Sequence, residues 1–393
     1  MRIAIVHDYF TQLGGAEKVA EEMFRLIPRA SLFSTVAFED RMPPGLHGVP
    51  IKTSWMQHLP AIRRYYRLYF LLYPLAVSSL DVSNYDLVIS SSSGYVKGVS
   101  ASRDAMHICY CHTPMRWAWN FGGYSEREAM SPVVRSALQG LMGTLRQWDI
   151  FAARQPDHFI ANSKVVAERI QKAYGRTAEV IHPPIDVERF HLADRVDDYY
   201  LVLSRMASYK RLDLAVQACT RMNRNLIVVG TGPHRRQLES IAGPTIKFAG
   251  RVRDEEVNYL AARCRALLFP GEEDFGMAPL EVAAAGRPTI AFSAGGATES
   301  IVDGSTGLFF NQQTPECLMD AIERFERMSW SPAEIRRHAE DFSVPIFRRR
   351  LLEFLSHIGA PLKDADLLAV DDQHLPISCG TEAALARGMA TSL

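Results

Sequence analysis

Short apolar runs alternate with helical patterns along almost the whole chain, and this alternation limits the folds that the chain can adopt. Apolar runs of about four or five residues are typical of strands that are buried on both faces. Strands that alternate with helices predict parallel sheets covered by helices, the doubly wound α/β class. The predicted strands are Ile3–Val6, Leu87–Ser90, His107–Cys111 and His158–Ala161 in the first half, and Tyr200–Leu203, Leu226–Val229, Ile246–Ala249, Ala266–Phe269 and Thr289–Phe292 in the second.

The strand series is interrupted at the segment HPPID, within residues 181–186, where two adjacent prolines separate periodic regions. A chain of 393 residues is also long for one domain. We therefore predict two Rossmann-like domains, residues 1–183 and 184–342, that face each other across a cleft. Residues 343–360 are predicted to form a helix that returns to the N-terminal domain, and residues 361–393 a poorly ordered tail. Ligands of such sheets bind beyond the carboxyl ends of the strands.

Charge and composition exclude several classes of protein. The 44 basic and 44 acidic residues balance, whereas a nucleic-acid binder usually carries a basic excess, so no nucleic-acid partner is expected. No window offers the ~18 apolar residues of a membrane-spanning helix, and no signal peptide is expected at the N terminus. The 6 cysteines form no disulfide framework and no zinc spacing, which predicts a cytoplasmic location and no bound metal.

Glycines and cations follow two of the predicted strands. Gly14 and Gly15 lie between the first strand and a helix, where backbone N–H groups and the helix N-terminus favour an anion. Arg205 and Lys210 follow the strand YYLVLS, and a guanidinium beside an ammonium suits a diphosphate. Each feature alone also fits an ordinary turn or a solvated surface. Their shared position at strand ends favours a diphosphate site.

The segment GEEDFGMAPLEVAAAGRP follows the strand ALLFP and carries two carboxylates eight residues apart. Its small residues, Gly276 to Pro279, keep the start of the next helix accessible, and the free N–H groups there can bind diphosphate oxygens. Glu281 lies in that helix and can accept two hydrogen bonds from a ribose. Glu273 lies in the loop and can reach sugar hydroxyls. The segment therefore predicts a ligand that contains a diphosphate, a ribose and a sugar.

The spacing Arg205-x4-Lys210 followed by Glu273-x7-Glu281 resembles the signature of the family 4 retaining glycosyltransferases, which have the GT-B fold. The resemblance covers roughly residues 1–355. It implies that Arg205 and Lys210 neutralise the donor diphosphate, that Glu281 holds the ribose, and that Glu273 holds the donor sugar. The catalytic residues that it implies are His112, Arg205, Lys210 and Glu273. The donor-binding residues are Gly14, Gly15, Arg205, Lys210, Gly250, Arg251, Glu273, Phe275, Gly276, Met277, Leu280 and Glu281.

The segments HDYFTQLGGAEKV, ISSSSGYVKGV and CYCHTPMRW more narrowly resemble bacterial enzymes of exopolysaccharide and O-antigen synthesis. This resemblance implies transfer of a hexose, namely mannose from GDP-mannose, to an oligosaccharide carried on polyprenyl diphosphate. The acceptor is expected to bind to the N-terminal domain and the nucleotide sugar to the C-terminal domain. A UDP-sugar-dependent transferase of the same pathway and a nucleotide-sugar epimerase are the alternatives. No cofactor and no essential metal are expected, because protein cations handle the diphosphate. The loop GGATE, ending at Glu299, lacks the proline of the family pattern Gly-Gly-x-Pro-Glu.

The segment LPAIRRYYRLYFLLYPLA, Leu59 to Ala76, mixes three arginines with aromatic and aliphatic residues. Arg63, Arg64 and Arg67 beside apolar anchors suit a helix that lies on an anionic membrane surface. The same pattern also fits an amphipathic helix packed on the N-terminal sheet. Together with a lipid-linked acceptor, the first interpretation predicts an enzyme that is peripheral on the inner face of the cell membrane.

Overall fold

The computed structural model describes residues 1–119 and 132–367, and its first domain is built on a parallel sheet of seven strands. These strands are β1 (Ile3–His7), β2 (Ser31–Ser34), β3 (Ile51–Thr53), β4 (Leu87–Ser92), β5 (Met106–Cys111), β6 (His158–Ala161) and β7 (Glu179–Val180). They lie in the order β3-β2-β1-β4-β5-β6-β7, and every neighbouring pair is parallel.

The second domain is built on a parallel sheet of six strands. They are β8 (Tyr200–Leu203), β9 (Leu226–Val229), β10 (Ile246–Gly250), β11 (Leu267–Phe269), β12 (Thr289–Phe292) and β13 (Gly307–Phe310), in the order β10-β9-β8-β11-β12-β13. The predicted doubly wound α/β class is confirmed. The short strands β2, β3, β7 and β13 were not predicted from the sequence.

Helices connect the strands. The first domain contains α1 (Gly15–Leu26), α2 (Ile62–Tyr65), α3 (Tyr73–Ser78), α4 (Arg116–Trp119), α5 (Pro132–Ala152) and α6 (Lys164–Tyr174). The second contains α7 (Leu212–Arg221), α8 (Arg235–Ser240), α9 (Asp254–Arg263), α10 (Met277–Ala284), α11 (Ala297–Ser300), α12 (Pro315–Glu326) and α13 (Pro332–Glu340), and α14 (Val344–His357) follows. Local chemistry sets several helix ends. The Ser163 hydroxyl accepts from the Val166 amide at 3.1 Å to cap α6, and Gly175 ends it in the left-handed conformation.

Each sheet is buried on both faces, which explains why its strands have continuous apolar runs. In β1, Ala4 and Val6 pack into one hydrophobic cluster, whereas Ile3 and Ile5 pack into another on the opposite face. In the same way, Leu201 of β8 points away from its neighbours Tyr200 and Val202. Successive side chains of a strand point to opposite faces, so only a strand that is covered on both sides buries all of them.

The order of strands reverses at the same place in both sheets. In the first sheet β1 lies between β2 and β4, and in the second β8 lies between β9 and β11. At such a switch point the connections leave in opposite directions and open a crevice at the carboxyl ends of the strands. The loops that follow β1, β4, β5, β8 and β11 therefore border the cleft.

The chain crosses between the domains twice, and the two crossings lie side by side. In the first, the Ile185 amide donates to the Phe342 carbonyl at 2.8 Å, and Ile185 and Ser343 form a parallel bridge. After the second crossing, α14 packs on the first domain through Phe347, Leu351 and Leu355. Residues 361–367 of the predicted tail also reach this cluster, through Leu362 and Leu367, and residues 368–393 lie outside the described part of the chain.

The single helix predicted over Leu59–Ala76 is wrong. The segment forms the short helices α2 and α3, with turns between them. Pro74 is the physical reason, because it lacks an amide donor and its ring clashes with the carbonyl four residues earlier, so it stands in the first turn of α3 instead of inside a longer helix. Within residues 1–119 and 132–367, no helix has the length and apolar character needed to cross a bilayer.

A buried ion pair ties several elements of the first domain together. Lys97 and Asp149 lie 2.5 Å apart and both side chains are fully buried. The Asp149 carboxylate also accepts from the Trp119 indole and from the Tyr174 hydroxyl, each at 2.7 Å. The group therefore links the loop after β4 with α4, α5 and α6. A buried charge of this kind stabilises the fold only while its partner is present.

We expect Asp149→Ala to lower the free energy of unfolding by about 3–5 kcal/mol, because it leaves the Lys97 ammonium buried without a counter-charge. Denaturant unfolding followed by circular dichroism measures the change. The matched control is Glu316→Ala, whose partner Arg221 is about half exposed, and its effect should be much smaller because solvent screens an exposed pair. Equal effects of the two substitutions would contradict this interpretation.

Candidate active site in the interdomain cleft

Arg205, which follows β8, reaches across the cleft to the glycine loop of the first domain. Its guanidinium donates to the Gln12 side chain at 2.8 Å and to the Tyr209 hydroxyl at 3.3 Å. Gln12 belongs to the loop between β1 and α1, two residues before Gly14. The structure therefore brings Arg205 and the glycine pair together, as a shared diphosphate site requires.

Lys210 and Glu273 form an ion pair, and both side chains are largely buried. Their loops touch because Gly271 has no side chain: a Cβ atom there would lie 2.8 Å from the Lys210 Cα. In the predicted roles, Lys210 binds the diphosphate and Glu273 binds the sugar. In the structure the two groups neutralise each other.

Glu281, on α10, is bound by a lysine of the first domain that sequence reasoning missed. Lys18 Nζ lies 2.7 Å from Glu281 Oε1. Burial would raise the pKa of Glu281, but the Lys18 ammonium outweighs it, and the net pKa lies below the usual glutamate value. Lys18 lies one turn into the helix that begins at Gly15. A lysine so close to the predicted phosphate loop is the feature of the sequence that could have identified it as a site residue.

The N-termini of α1 and α10 face each other across the cleft. A Cβ atom at Gly15 would lie 2.6 Å from Met277 Sδ, so the two helix starts already touch. Gly276 has a φ of 84°, which favours glycine, and so allows the backbone to turn into α10. N–H groups that have no acceptor within their own helices therefore lie where the sequence predicted a diphosphate.

Two residues of the predicted donor site have buried side chains. The side chains of Phe275 and Leu280 are buried in the core of the second domain, where Phe275 stacks on His182 with ring centroids 5.1 Å apart. Because these side chains are occupied by core packing, the predicted donor contacts at Phe275 and Leu280 remain predictions that concern the backbone. Gly250 and Arg251 lie at the end of β10, two strands away from β8, and Arg251 is exposed.

His112 follows β5 and shares one serine with a second histidine. His112 Nε2 lies 2.8 Å from Ser91 Oγ, and His7 Nδ1 lies 3.0 Å from the same oxygen. Burial, and then the neighbouring His7, lower the pKa of His112 to about 3. Burial also lowers the pKa of His7 to about 4. Both imidazoles are therefore neutral at pH 7, and each can form a hydrogen bond with the Ser91 hydroxyl without carrying a charge.

Glu17 is a buried acid in the first turn of α1, and the sequence analysis did not single it out. A Cβ atom at Gly14 would lie 2.7 Å from Glu17 Oε2, so glycine leaves room for this carboxyl group. Burial raises the pKa of Glu17 to about 7, although hydrogen bonds, including one to Gln12, and the charge of Arg205 act in the opposite direction. Glu17 is therefore an ionisable group directly behind the predicted phosphate site.

Glu299, in the loop GGATE, lies at the crossing between domains. Its carboxylate accepts from the Lys164 and Val165 amides at the start of α6, at 2.8 and 3.2 Å, and lies 3.1 Å from His182 Nε2. Burial raises its pKa, but these hydrogen bonds outweigh burial, so the net pKa is lowered. The glycines of this loop support the donor loop, because the Gly296 amide donates to the Glu273 carbonyl at 2.9 Å.

The shifted histidines predict a pH dependence of stability. His7, His107 and His112 have depressed folded pKa values, about 4, 4 and 3, so the unfolded chain binds more protons as the pH falls below about 6.5. Each should lower the free energy of unfolding by about 1.4 kcal/mol per pH unit between roughly pH 6 and 4.5. Glu17 has a raised pKa in the folded protein, so it should raise the free energy of unfolding as the pH falls from about 7 to 4.5.

His112→Asn should therefore flatten this slope and Glu17→Gln should steepen it, each by about 1.4 kcal/mol per pH unit. Denaturant unfolding at a series of pH values measures both slopes, whatever each substitution does to stability at pH 7. A slope that neither substitution changes would contradict the assigned protonation states.

Comparison with known proteins assigns this chain to a class of enzyme. The family model "Glycosyltransferase Family 4" matches residues 13–189, and the model "Glycosyl transferases group 1" matches residues 197–327. The chain is 23% identical over 356 residues to alpha-1,3/1,6-mannosyltransferase ALG2 of Mus musculus, covering 79% of this chain and 82% of the relative. It is 28% identical over 134 residues to O-antigen chain mannosyltransferase C of Escherichia coli, covering 32% and 36%.

Among solved structures, Anabaena HepE in complex with UDP superposes with a TM-score of 0.68 at 18% identity, covering 91% of this chain and 100% of HepE. Sucrose-phosphate synthase from Thermosynechococcus elongatus superposes with a TM-score of 0.70 at 15% identity, covering 92% and 100%. These similarities support the fold. The matched families and relatives transfer sugars, so the epimerase alternative is not supported. The chain is a glycosyltransferase with the GT-B fold, and its first part matches the family 4 model while its second part matches the group 1 model.

Proposed function

We propose that the chain is a retaining α-mannosyltransferase that moves mannose from GDP-mannose to an oligosaccharide carried on polyprenyl diphosphate, in the synthesis of a bacterial exopolysaccharide or O-antigen. The observation that carries the proposal is the charged cluster of the cleft. Arg205, Lys210 and Lys18 lie where a diphosphate would sit, and Glu273 and Glu281 lie next to them. Mannosyltransferases from mouse and Escherichia coli among the similar proteins favour mannose as the transferred sugar.

The proposed donor exchanges the partners of these side chains. The diphosphate takes Lys210 from Glu273, and the released carboxylate binds hydroxyls of the sugar. The ribose hydroxyls bind Glu281 in place of Lys18, and the Lys18 ammonium then binds the phosphates. Negative charge then develops on the leaving diphosphate, opposite cations that are already in place, and such preorganised groups are usually the largest catalytic contribution. In this scheme the protein cations do the work of a metal, so no divalent ion is required.

The strand-end acid of β1 is an unsuitable nucleophile. The Asp8 carboxylate accepts from the backbone amides of Ser93, Tyr95 and Val96, at 2.5, 2.8 and 2.9 Å. These bonds hold the loop after β4 and occupy the carboxylate. We therefore propose attack on the same face of the sugar, assisted by the leaving phosphate, with the neutral His112 as a hydrogen-bonding group beside the sugar.

A UDP-sugar is the second candidate donor. The structurally similar Anabaena HepE has been solved with UDP and with UDP-glucose. Its identity to this chain is 18%, so it supports a nucleotide-sugar site of this shape without fixing the base.

Titration calorimetry with GDP, UDP and ADP, followed by turnover assays with the matching sugars, tests the proposal. We expect GDP to bind most tightly and GDP-mannose to support transfer to a polyprenyl-diphosphate oligosaccharide, also in EDTA. Arg205→Gln and Lys210→Gln should each reduce turnover by at least about tenfold, because each removes a charge-assisted hydrogen bond. Arg195→Gln, on an exposed ion pair, is the matched control. Preference for UDP, or loss of activity in EDTA that Mg²⁺ restores, would contradict the proposal.

The proposed acceptor requires the enzyme to reach a membrane, and the segment that contains α2 and α3 offers a suitable surface. Leu68, Leu71 and Leu75 are exposed there, with Leu68 at 71%. Arg64 and Arg67 are exposed beside them. Apolar anchors next to cations suit a surface that binds anionic lipids.

Arg63 has a different environment from the other two arginines. One of its guanidinium nitrogens donates to both carboxylate oxygens of Asp40, at 2.9 and 2.8 Å, and the guanidinium lies 4.8 Å from the centre of the Phe38 ring. Its charge is therefore already compensated by a protein carboxylate, and we assign the membrane contact mainly to Arg64 and Arg67.

We expect Arg64→Gln with Arg67→Gln to weaken binding to phosphatidylglycerol vesicles about thirtyfold, because each cation near an anionic surface contributes about 1 kcal/mol. Leu68→Ser with Leu71→Ser should weaken it as well, and high salt should mimic only the arginine changes. Arg63→Gln is the control, and its effect should be less than half that of the double arginine change, because Asp40 already compensates its charge. Vesicle sedimentation measures all three variants, and wild-type protein that does not sediment with vesicles would contradict the membrane contact.

A further inference from the structure

The donor loop that follows β11 is held from the opposite domain by two arginines. Asp274 is the residue after Glu273, and its two carboxylate oxygens have different partners. Arg116, on α4, donates to Oδ2, and Arg169, on α6, donates to Oδ1. Arg169 also donates to Glu272 at 3.1 Å. One carboxylate of the second domain thus binds two separate elements of the first.

Arg116 contacts both loops of the donor site. Besides Asp274, its guanidinium lies 4.9 Å from the centre of the Tyr209 ring. Tyr209 precedes Lys210, and its hydroxyl accepts from Arg205 at 3.3 Å. A cation over an aromatic face is attracted to it, so Arg116 restrains the diphosphate loop as well as the sugar loop.

The partners of Arg116 compensate for its burial. Burial would lower the pKa of its guanidinium, but Asp274, Tyr209 and Glu273 outweigh burial, and the net pKa is raised. Arg116 is therefore a permanent cation in a partly desolvated place, where its contact with Asp274 is stronger than a surface ion pair.

The backbone next to Glu273 is also fixed from the first domain. The Ser163 hydroxyl donates to the Asp274 carbonyl at 2.6 Å, from the residue that caps α6. The Gly296 amide donates to the Glu273 carbonyl from the other side. Side-chain and backbone contacts therefore determine together where the Glu273 carboxylate lies.

We propose that Arg116 and Arg169 are positioning residues, which form an interdomain clamp on Asp274 and thereby place Glu273 against the donor sugar. The clamp exists only while the two domains are closed, because its arginines and its carboxylate belong to different domains. The proposal deepens the proposed function, since it rests on Glu273 as the group that binds the sugar. The arginines themselves do not contact the donor.

The test compares Arg116→Gln and Arg169→Gln with wild type. We expect kcat with GDP-mannose to fall roughly tenfold to a hundredfold, since a lost charge-assisted contact moves Glu273 away from the sugar. The Kd for GDP should rise by a smaller factor than kcat falls, because the side chains that face the nucleotide are unchanged and only the restraint on their loops is lost. In an Asp274→Asn background, Arg116→Gln should have little further effect, because coupled residues are not additive. Arg221→Gln, whose ion pair lies within the second domain, is the control.

A readout that needs no sugar separates the clamp from the proposed donor. Small-angle scattering of the double variant Arg116→Gln with Arg169→Gln should give a larger radius of gyration than wild type, and thermal unfolding checks that both domains remain folded. If the wild-type enzyme does not use GDP-mannose, the proposed donor is wrong, but the scattering measurement still tests the proposed clamp. Unchanged scattering, or kcat within twofold of wild type for both single variants, would overturn the clamp. Should the double variant fail to fold, Asp274→Asn alone replaces it in the same measurements.

Discussion

Opposite charges on the two sides of the cleft are the interaction on which the closed arrangement depends. The second domain presents carboxylates on the loop after β11 and on α10, and the first domain presents Lys18, Arg116 and Arg169 to them. These groups are partly buried, so water screens them less than it screens surface pairs. Either domain alone would leave such charges without partners. Closure satisfies them, and the donor site takes its shape from closure.

The pairing also suggests how the site selects its ligand. Lys210 is bound to Glu273 and Lys18 to Glu281, so a ligand that offers only phosphates satisfies the lysines and leaves two carboxylates in a partly buried place. A free sugar would bind the carboxylates but leave the two lysines without a negatively charged partner. In the proposed reaction, only a molecule that joins a diphosphate to hydroxyl-bearing sugars replaces every partner, because an unpaired buried charge is costly. Discrimination of this kind requires no contact with the nucleotide base.

The fold and about half of the charged residues of the candidate site were predictable from the sequence, and the physical reason differs from residue to residue. Arg205, Lys210, Glu273 and Glu281 follow apolar strands, and the parallel topology brings strand ends together whatever the intervening sequence. Lys18 was missed because its partner Glu281 is 263 positions away and the contact depends on how the domains face each other. The broken helix before Ala76 was missed because apolar content outweighed Pro74. The burial of the Phe275 and Leu280 side chains was not predictable, because a motif does not tell which way a side chain points.

The double crossing between the domains makes the second domain an insertion into the first. The last helix of the first domain, α14, is supplied by residues 344–357, after the whole second domain has been made. During synthesis the second domain can therefore complete its core while the first still lacks Phe347, Leu351 and Leu355. A fragment that stops at the proline pair would expose the apolar surface that α14 covers and would tend to aggregate. Joining the two ends of the insertion directly would be the sounder way to isolate the first domain.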